Sequence, residues 1–255
     1  MTVLGACASQ PDVPYPAFIR TDDLPDAFIA GLPGVRAKQL AVNPRTGDSS
    51  NRVILPADWS FSTGAAPDKS VELYVLAGQV ELGGLSLSPG GYAYIPPGST
   101  GMTMATEDGA LLLYFQDDAD ASAVIRTPLI TNSHLLEWQP LSDDPNDLGF
   151  SVLELRADPG SGARTWLLKV ESVASQGWRR SSVGHEGYLV SGTQTYGECI
   201  DGQVVTADYT AGGYFNRPPE AIHGGPGAGT AGTAIWLMRV PGHGSVAEAA
   251  ACGPE

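Results

Sequence analysis

Residues 90–101 read GGYAYIPPGSTG and residues 212–225 read GGYFNRPPEAIHGG. Each is a pair of glycines, a strand-like run carrying aromatic residues, and a Pro-Pro pair that a central strand does not tolerate. A pattern present twice points to an internal repeat, the property that most changes how a sequence is read. Outward from these stretches, VELYVLAG at 71–78 matches HEGYLVSG at 185–192, and LAVNPRTG at 40–47 matches LRADPGSG at 155–162. The last pair is turn chemistry, with Asn-Pro or Asp-Pro leading to a Gly. A β-rich run follows in each half, RVILP at 52–56 and TWLLKV at 165–170, and then a Trp, Trp59 or Trp178. Four blocks recur in one order about 115 residues apart, which reads as the duplication of one β module.

Composition agrees. The chain of 255 residues holds 32 Gly and 20 Pro and is 42% hydrophobic, too apolar for disorder and too rich in helix breakers for a helical bundle. Asp and Glu outnumber Lys and Arg by 28 to 14, a net charge of −14, so binding to nucleic acid or to an anionic membrane surface is not expected. No apolar run reaches the length of a membrane span. Helix-forming composition is confined to SVAEAAAC at 245–252.

Cys7, Cys199 and Cys252 are far apart, odd in number and in no C-x-x-C spacing, so they suggest neither a disulfide framework nor a zinc cluster. As it stands the chain reads as cytoplasmic. The alternative is a periplasmic lipoprotein, because Leu4-Gly5-Ala6-Cys7 looks like a lipobox ahead of a polar tether. The expected organisation is a leader at 1–15, an N-terminal barrel at 16–120, a C-terminal barrel at 121–245 and a tail at 246–255. QDDADAS at 116–122 is expected to act as linker, and His134 and His243 as structural or loop residues.

The repeated blocks resemble the paired motifs of the cupin superfamily, over most of residues 35–240, and in particular the branch of the anti-sigma-factor and acetylacetone-cleaving cupins. The second cupin motif is Gly, five residues, Pro, one residue, Gly, two residues, His. Gly212, Pro218 and His223 fall on that spacing, with Glu220 in place of the second Gly. Gly90, Pro96 and Gly98 fall on it in the first half, where Gly101 replaces the His. The resemblance implies an all-β protein of two tandem jelly-roll barrels, a bicupin, with His, His, Glu and His converging on a divalent Fe, Mn, Ni or Zn ion.

The first motif departs further from that pattern. Its Glu position, seven residues before the strand-ending Gly, is Val71 in the first half and His185 in the second. Neither stretch upstream, STGAAPDKS at 62–70 or GWRRSSVG at 177–184, contains a His. The N-terminal barrel is therefore expected to hold no metal and to serve as the structural half. In the C-terminal barrel the metal candidates are His223, His185 and, after a one-residue slip of register, Glu186. A third ligand would have to come from Glu198, Cys199 or His243, none at a recognisable spacing. Glu72 and Glu186 otherwise read as solvated outward charges, and Tyr92, Tyr94, Tyr214 and Phe215 as barrel wall.

Arg180, Trp178 and Tyr214 are the candidates for substrate contact, with Arg179 or Arg180 offering a bidentate bond to an anionic group. Two functions follow from these residues. One is binding of a small molecule in the C-terminal barrel, with a homodimer allowed by the resemblance. The other is a metal-dependent, iron-type dioxygenase or oxidoreductase acting on a small carbonyl or enolisable compound.

Overall fold

A computed structural model of the chain describes residues 11–29, 31–63, 68–142, 148–249 and 251–252. Short antiparallel strands make up nearly all of its regular structure, beside two three-residue 3-10 turns, Thr21–Asp23 and Ser133–Leu135. The repeated Pro-containing turns close alike: Gly47 donates to the Asn43 carbonyl and Gly162 to the Asp158 carbonyl, each at 2.7 Å. Both glycines sit at positive φ, 77° and 75°, where a side chain would be strained.

Each half is a pair of sheets. In the first, a seven-stranded sheet runs Leu129–Asn132, Gly91–Ile95, Lys69–Gly78, Ala110–Asp118, Ser49–Leu55, Arg36–Val42 and Asp26–Ala27, facing a four-stranded sheet. In the second, the equivalent order is Ile19–Arg20, Gly213–Arg217, His185–Ser191, Ala234–Val240, Arg164–Val170, Phe150–Ala157 and Gln139–Pro140. The sheet opposite runs Gln203–Thr210, Thr193–Ile200, His223–Gly229, Trp178–Ser181 and Val246–Glu248. The protein is all-β, two tandem jelly-roll barrels.

Register makes the duplication quantitative. Val71 pairs with Ile95 and Tyr74 with Tyr92 in the first half, while His185 pairs with Arg217 and Tyr188 with Tyr214 in the second. Strand alternation then sends Val71, Leu73, Val75, Ala93 and Ile95 into the first barrel, and His185, Leu189, Phe215 and Arg217 into the second. The first barrel is filled by an apolar cluster that includes Val53, Leu112 and Met104, each 0% exposed. The second is filled around Leu189, Tyr209, Phe215 and Trp236.

Residues on the opposite faces of the two seven-stranded sheets form a third cluster. Leu40, Tyr74, Tyr92, Tyr94 and Leu113 pack there with Leu153, Leu167, Tyr188, Tyr214 and Leu237. The two barrels thus share a buried interface, and Tyr92, Tyr94 and Tyr214 belong to it, whereas Phe215 points inward.

Sheet membership crosses the expected boundary at 120/121 in both directions. Ile19–Arg20 pairs with the edge strand Gly213–Arg217 of the second barrel, and Leu129–Asn132 with Gly91–Ile95 of the first. Each segment covers a sheet edge that would otherwise expose unpaired amides. Ahead of Ile19, Ala17 and Phe18 are buried in the second barrel's core, with Val13 and Tyr15 packed against it.

The tail takes a form its composition does not suggest, and the expectation on the cysteines is corrected. The tail carries a strand, Val246–Glu248, paired with Trp178–Ser181, because an open sheet edge outweighs the propensity of a short alanine run. Cys199 and Cys252 are joined by a disulfide, with Cα atoms 5.3 Å apart, since the tail strand brings residues distant in sequence together. Cys7 lies outside the described residues.

Candidate functional site

The strand His185–Ser191 and its neighbour Gly213–Arg217 place His185 opposite Arg217 on one sheet of the second barrel. On the facing sheet, Glu198 of Thr193–Ile200 lies opposite His223 of His223–Gly229. Two cross-strand pairs from two sheets therefore meet inside one barrel. All four side chains are enclosed, with Glu198 0%, Arg217 1%, His223 6% and His185 8% exposed.

Arg217 holds the centre. Its Nε donates to both oxygens of Glu198, at 2.9 and 3.1 Å, and its Nη2 donates to Oε1 at 2.6 Å. Its Nη1 faces His185 Nε2 at 3.4 Å. The guanidinium carbon lies 3.6 Å from the Phe215 ring centroid and 4.7 Å from that of Tyr196, so two aromatic faces fix its plane. The second oxygen of Glu198 also accepts from the hydroxyl of Tyr15, at 2.8 Å. Burial and the neighbouring carboxylate raise the Tyr15 hydroxyl above its ordinary range, so it stays protonated and donates.

The imidazoles are neutral. Burial, reinforced by Arg217, pushes His185 down to about 3, and the same causes with His185 itself drive His223 well below its ordinary value. His223 Nδ1 lies 2.9 Å from the Ala221 carbonyl and so carries the proton, which leaves Nε2 as the lone-pair side of the ring. The two rings are 4.9 Å apart, and His223 stacks on Tyr196.

This donor set does not fit a divalent metal. Both oxygens of Glu198 are engaged, the lone pair of His185 faces a guanidinium, and a cation among these groups would stand beside the buried charge of Arg217. At about 4 Å such repulsion is on the order of 4 kcal/mol per unit of charge. Among the described residues, no three His, Cys, Asp or Glu are arranged to hold a metal ion.

The remaining sequence candidates lie elsewhere. Glu186 takes the opposite face from His185 and enters the interface between the barrels, accepting from Tyr214 Oη at 2.6 Å and from Arg239 Nη1. The slip of register that would have turned it inward does not occur, so it is no partner for His223. Tyr214 is committed to that same contact, away from the barrel interior. Trp178 covers Gly197 and Gly225 on the outer side of its sheet, where added Cβ atoms would meet its ring at 3.2 and 2.5 Å. Arg180 pairs outside with Glu220 at 3.7 Å. It is Arg179 that shares a register position with His223, and its charge acts on His223 and Tyr196. His134 contacts the Pro89 carbonyl and His243 the Gly160 carbonyl, both in loops or turns.

Glu72, expected at the surface, is 1% exposed. It accepts from Arg156 Nη1, Tyr92 Oη and Thr165 Oγ1, each at 2.6 Å, and from Arg239 Nη2 at 3.1 Å. Burial opposes its charge, but the two arginines prevail and hold the carboxyl at about 2. Arg239 also pairs with Asp117, and this network floors a recess of about 640 Å³ between the barrels. Three carboxylates, Glu72, Asp117 and Glu186, share the guanidiniums of Arg156 and Arg239 across the two halves, which reads as interface.

Sequence reasoning missed Glu198 as a settled member and Arg217 altogether, though alternation from Phe215 puts Arg217 inward. Comparison with known proteins agrees with the fold. A family model described as "Domain of unknown function (DUF4437)" matches residues 31–247. No curated protein sequence matches the chain. Among solved structures, a Nostoc punctiforme protein described as "a putative dioxygenase" is 19% identical with a TM-score of 0.70, covering 95% of this chain and 89% of its own. Protein Ylba from E. coli is 21% identical with a TM-score of 0.67, over 91% and 94%. Oxalate decarboxylase from Bacillus subtilis is 16% identical with a TM-score of 0.62, over 90% and 78%. At these identities the likeness concerns the fold.

Proposed function

We propose a function from the premise that this chain belongs to the DUF4437 family and is a bicupin of the cupin superfamily. Its second barrel binds a small molecule at His223, His185, Arg217 and Glu198, and its first barrel is structural. One observation carries this reading. At the register positions where the first barrel has Val71 and Ile95, the second has His185 and Arg217. The first barrel demonstrates that an apolar pair builds this architecture, so the fold itself does not call for a buried ion pair and two imidazoles. Buried ion pairs contribute little net stability compared with apolar packing, and this one, unlike the pairs at the interface, joins no two halves of the molecule, which supports recognition as its use.

The polar core suits a ligand that both accepts and donates hydrogen bonds. His223 Nε2 accepts, Arg217 Nη1 donates, and a ligand hydroxyl can take over the contact that Tyr15 makes with Glu198. Thermal-shift measurements against small carboxylates, β-dicarbonyls and hydroxyaromatic compounds test the reading. A ligand that raises the melting temperature of the wild type and of His134→Ala, but not of His223→Ala, is the expected result. A ligand whose effect survives His223→Ala would place the site elsewhere.

The second reading, an iron-type dioxygenase with His223 and His185 as ligands, takes its support from the description of the Nostoc punctiforme structure. Metal analysis of protein purified without an affinity tag decides it: iron present at one per chain and lost in His223→Ala would restore it. As to residence, the disulfide between Cys199 and Cys252 favours an oxidising compartment over the cytoplasm, in line with the lipobox-like stretch ending at Cys7. Among the described residues no helix is long and apolar enough to cross a membrane.

A further inference from the structure

The inference rests on the second barrel being the binding half, and the geometry points to Arg217 as a built-in cation that takes the place of a bound metal ion there. His185, His223 and Glu198 form, by identity, a two-histidine, one-carboxylate set, the donor types that hold non-haem iron and related divalent ions. They arrive from three strands, Glu198 and His223 side by side on one sheet and His185 from the other, with the two imidazoles 4.9 Å apart. What lies among them is a guanidinium, fixed by three hydrogen bonds to Glu198 and by the rings of Phe215 and Tyr196. The matching position of the first barrel is Ile95, 0% exposed, so the barrel does not require an arginine to close.

A guanidinium cannot lose its charge at any ordinary pH, exchange with solvent ions or change oxidation state. Of the donors not given to Glu198, Nη1 makes a contact with His185 that at 3.4 Å is too long to be a strong bond. That donor is the one a ligand displacing the His185 contact would meet. The ligand class follows as a small molecule with a carbonyl or carboxylate oxygen, polarised by a fixed hydrogen-bonding cation.

Cobalt(II) titration of tag-free protein, read by visible absorption, tests this. Wild type is expected to take up none, and Arg217→Lys, which keeps a charge in place, also none. Arg217→Gln, which frees Glu198 and the His185 lone pair to rearrange, is expected to gain cobalt(II) binding, lost again when His223→Ala is added. Near-ultraviolet circular dichroism establishes that each variant is folded. Cobalt(II) bound by wild type and lost in His223→Ala overturns the proposal, as does a folded Arg217→Gln that binds none. Should Arg217→Gln not fold, wild type decides alone: protein dialysed against EDTA that keeps its melting temperature and takes up no cobalt(II) supports the proposal, and uptake sinks it. A ligand screen that finds nothing would count against the binding function while leaving these metal results intact, so the two failures are distinguishable.

Discussion

Arg217 and Glu198 are each almost fully enclosed, and the cost of removing one differs from the cost of removing both. Glu198→Leu strands a guanidinium without its carboxylate and is expected to lose about 3 to 5 kcal/mol in urea denaturation. Glu198→Leu combined with Arg217→Ile copies the apolar filling of the first barrel and should lie within about 2 kcal/mol of wild type, or above it. A double variant as unstable as the single would show that the pair is structural. The histidines add a pH dependence whose sign is fixed. Both have folded pKa values below the unfolded value of about 6.5, His185 at about 3, under the joint influence of burial and Arg217, with Arg179 acting on His223 as well. The unfolded chain therefore binds protons that the folded one refuses, and the stability they contribute above about pH 6.5 falls as pH drops toward 3. The urea midpoint should decline over that window, by on the order of 1 kcal/mol per pH unit and histidine, and the slope should flatten in His185→Val. These residues also mark how far sequence could reach. His223 was legible because a spacing motif names it, and His185 because it replaces a motif position. Arg217 was not, because a charged residue in a strand is presumed to face water, and only register shows that it shares the face of Phe215.

At the scale of elements, the repeated turns and strand pairs were readable because Gly, Pro and Asn or Asp impose local geometry. The tail was not, because its conformation is decided by a partner far away in sequence. Val246–Glu248 completes the edge beside Trp178–Ser181, and Cys252 ties it to Cys199, next to Glu198. The disulfide closes a loop across 53 residues, for which chain-entropy reasoning gives about 4 kcal/mol. Cys252→Ser is expected to lose about 2 to 4 kcal/mol in guanidinium unfolding, and reductant should lower the wild-type melting temperature while leaving that of the variant unchanged. The linker is secured differently. Asp158 receives the amides of Val124, Ile125, Gly160 and Ser161, and although burial opposes its charge, these donors hold it at about 2. Asp158→Ala leaves them without an acceptor and should cost about 2 kcal/mol, read as a lower urea midpoint together with faster amide exchange at Val124 and Ile125.

Across the whole molecule, the two barrels are joined by more than a linker. Their aromatic interface encloses Glu72, Glu186, Arg156 and Arg239, and each barrel lends the other an edge strand. Arg239→Ala removes the shared partner of three carboxylates, Glu72, Asp117 and Glu186, and is expected to cost about 3 to 5 kcal/mol, with both barrels losing near-ultraviolet signal in one calorimetric transition. Two separated transitions would show that the halves are independent. The lent strands have a consequence in time. The segment from Phe18 to Thr21 is synthesised ahead of the first barrel, yet its partners Tyr209, Gly212, Gly213 and Tyr214 are made some 190 residues later. Nascent chain can complete the first barrel once Asn132 has emerged, but Ile19 and Arg20 stay unpaired until Gly213 and Tyr214 follow, so the second barrel is sealed by residues translated ahead of the first barrel's own strands.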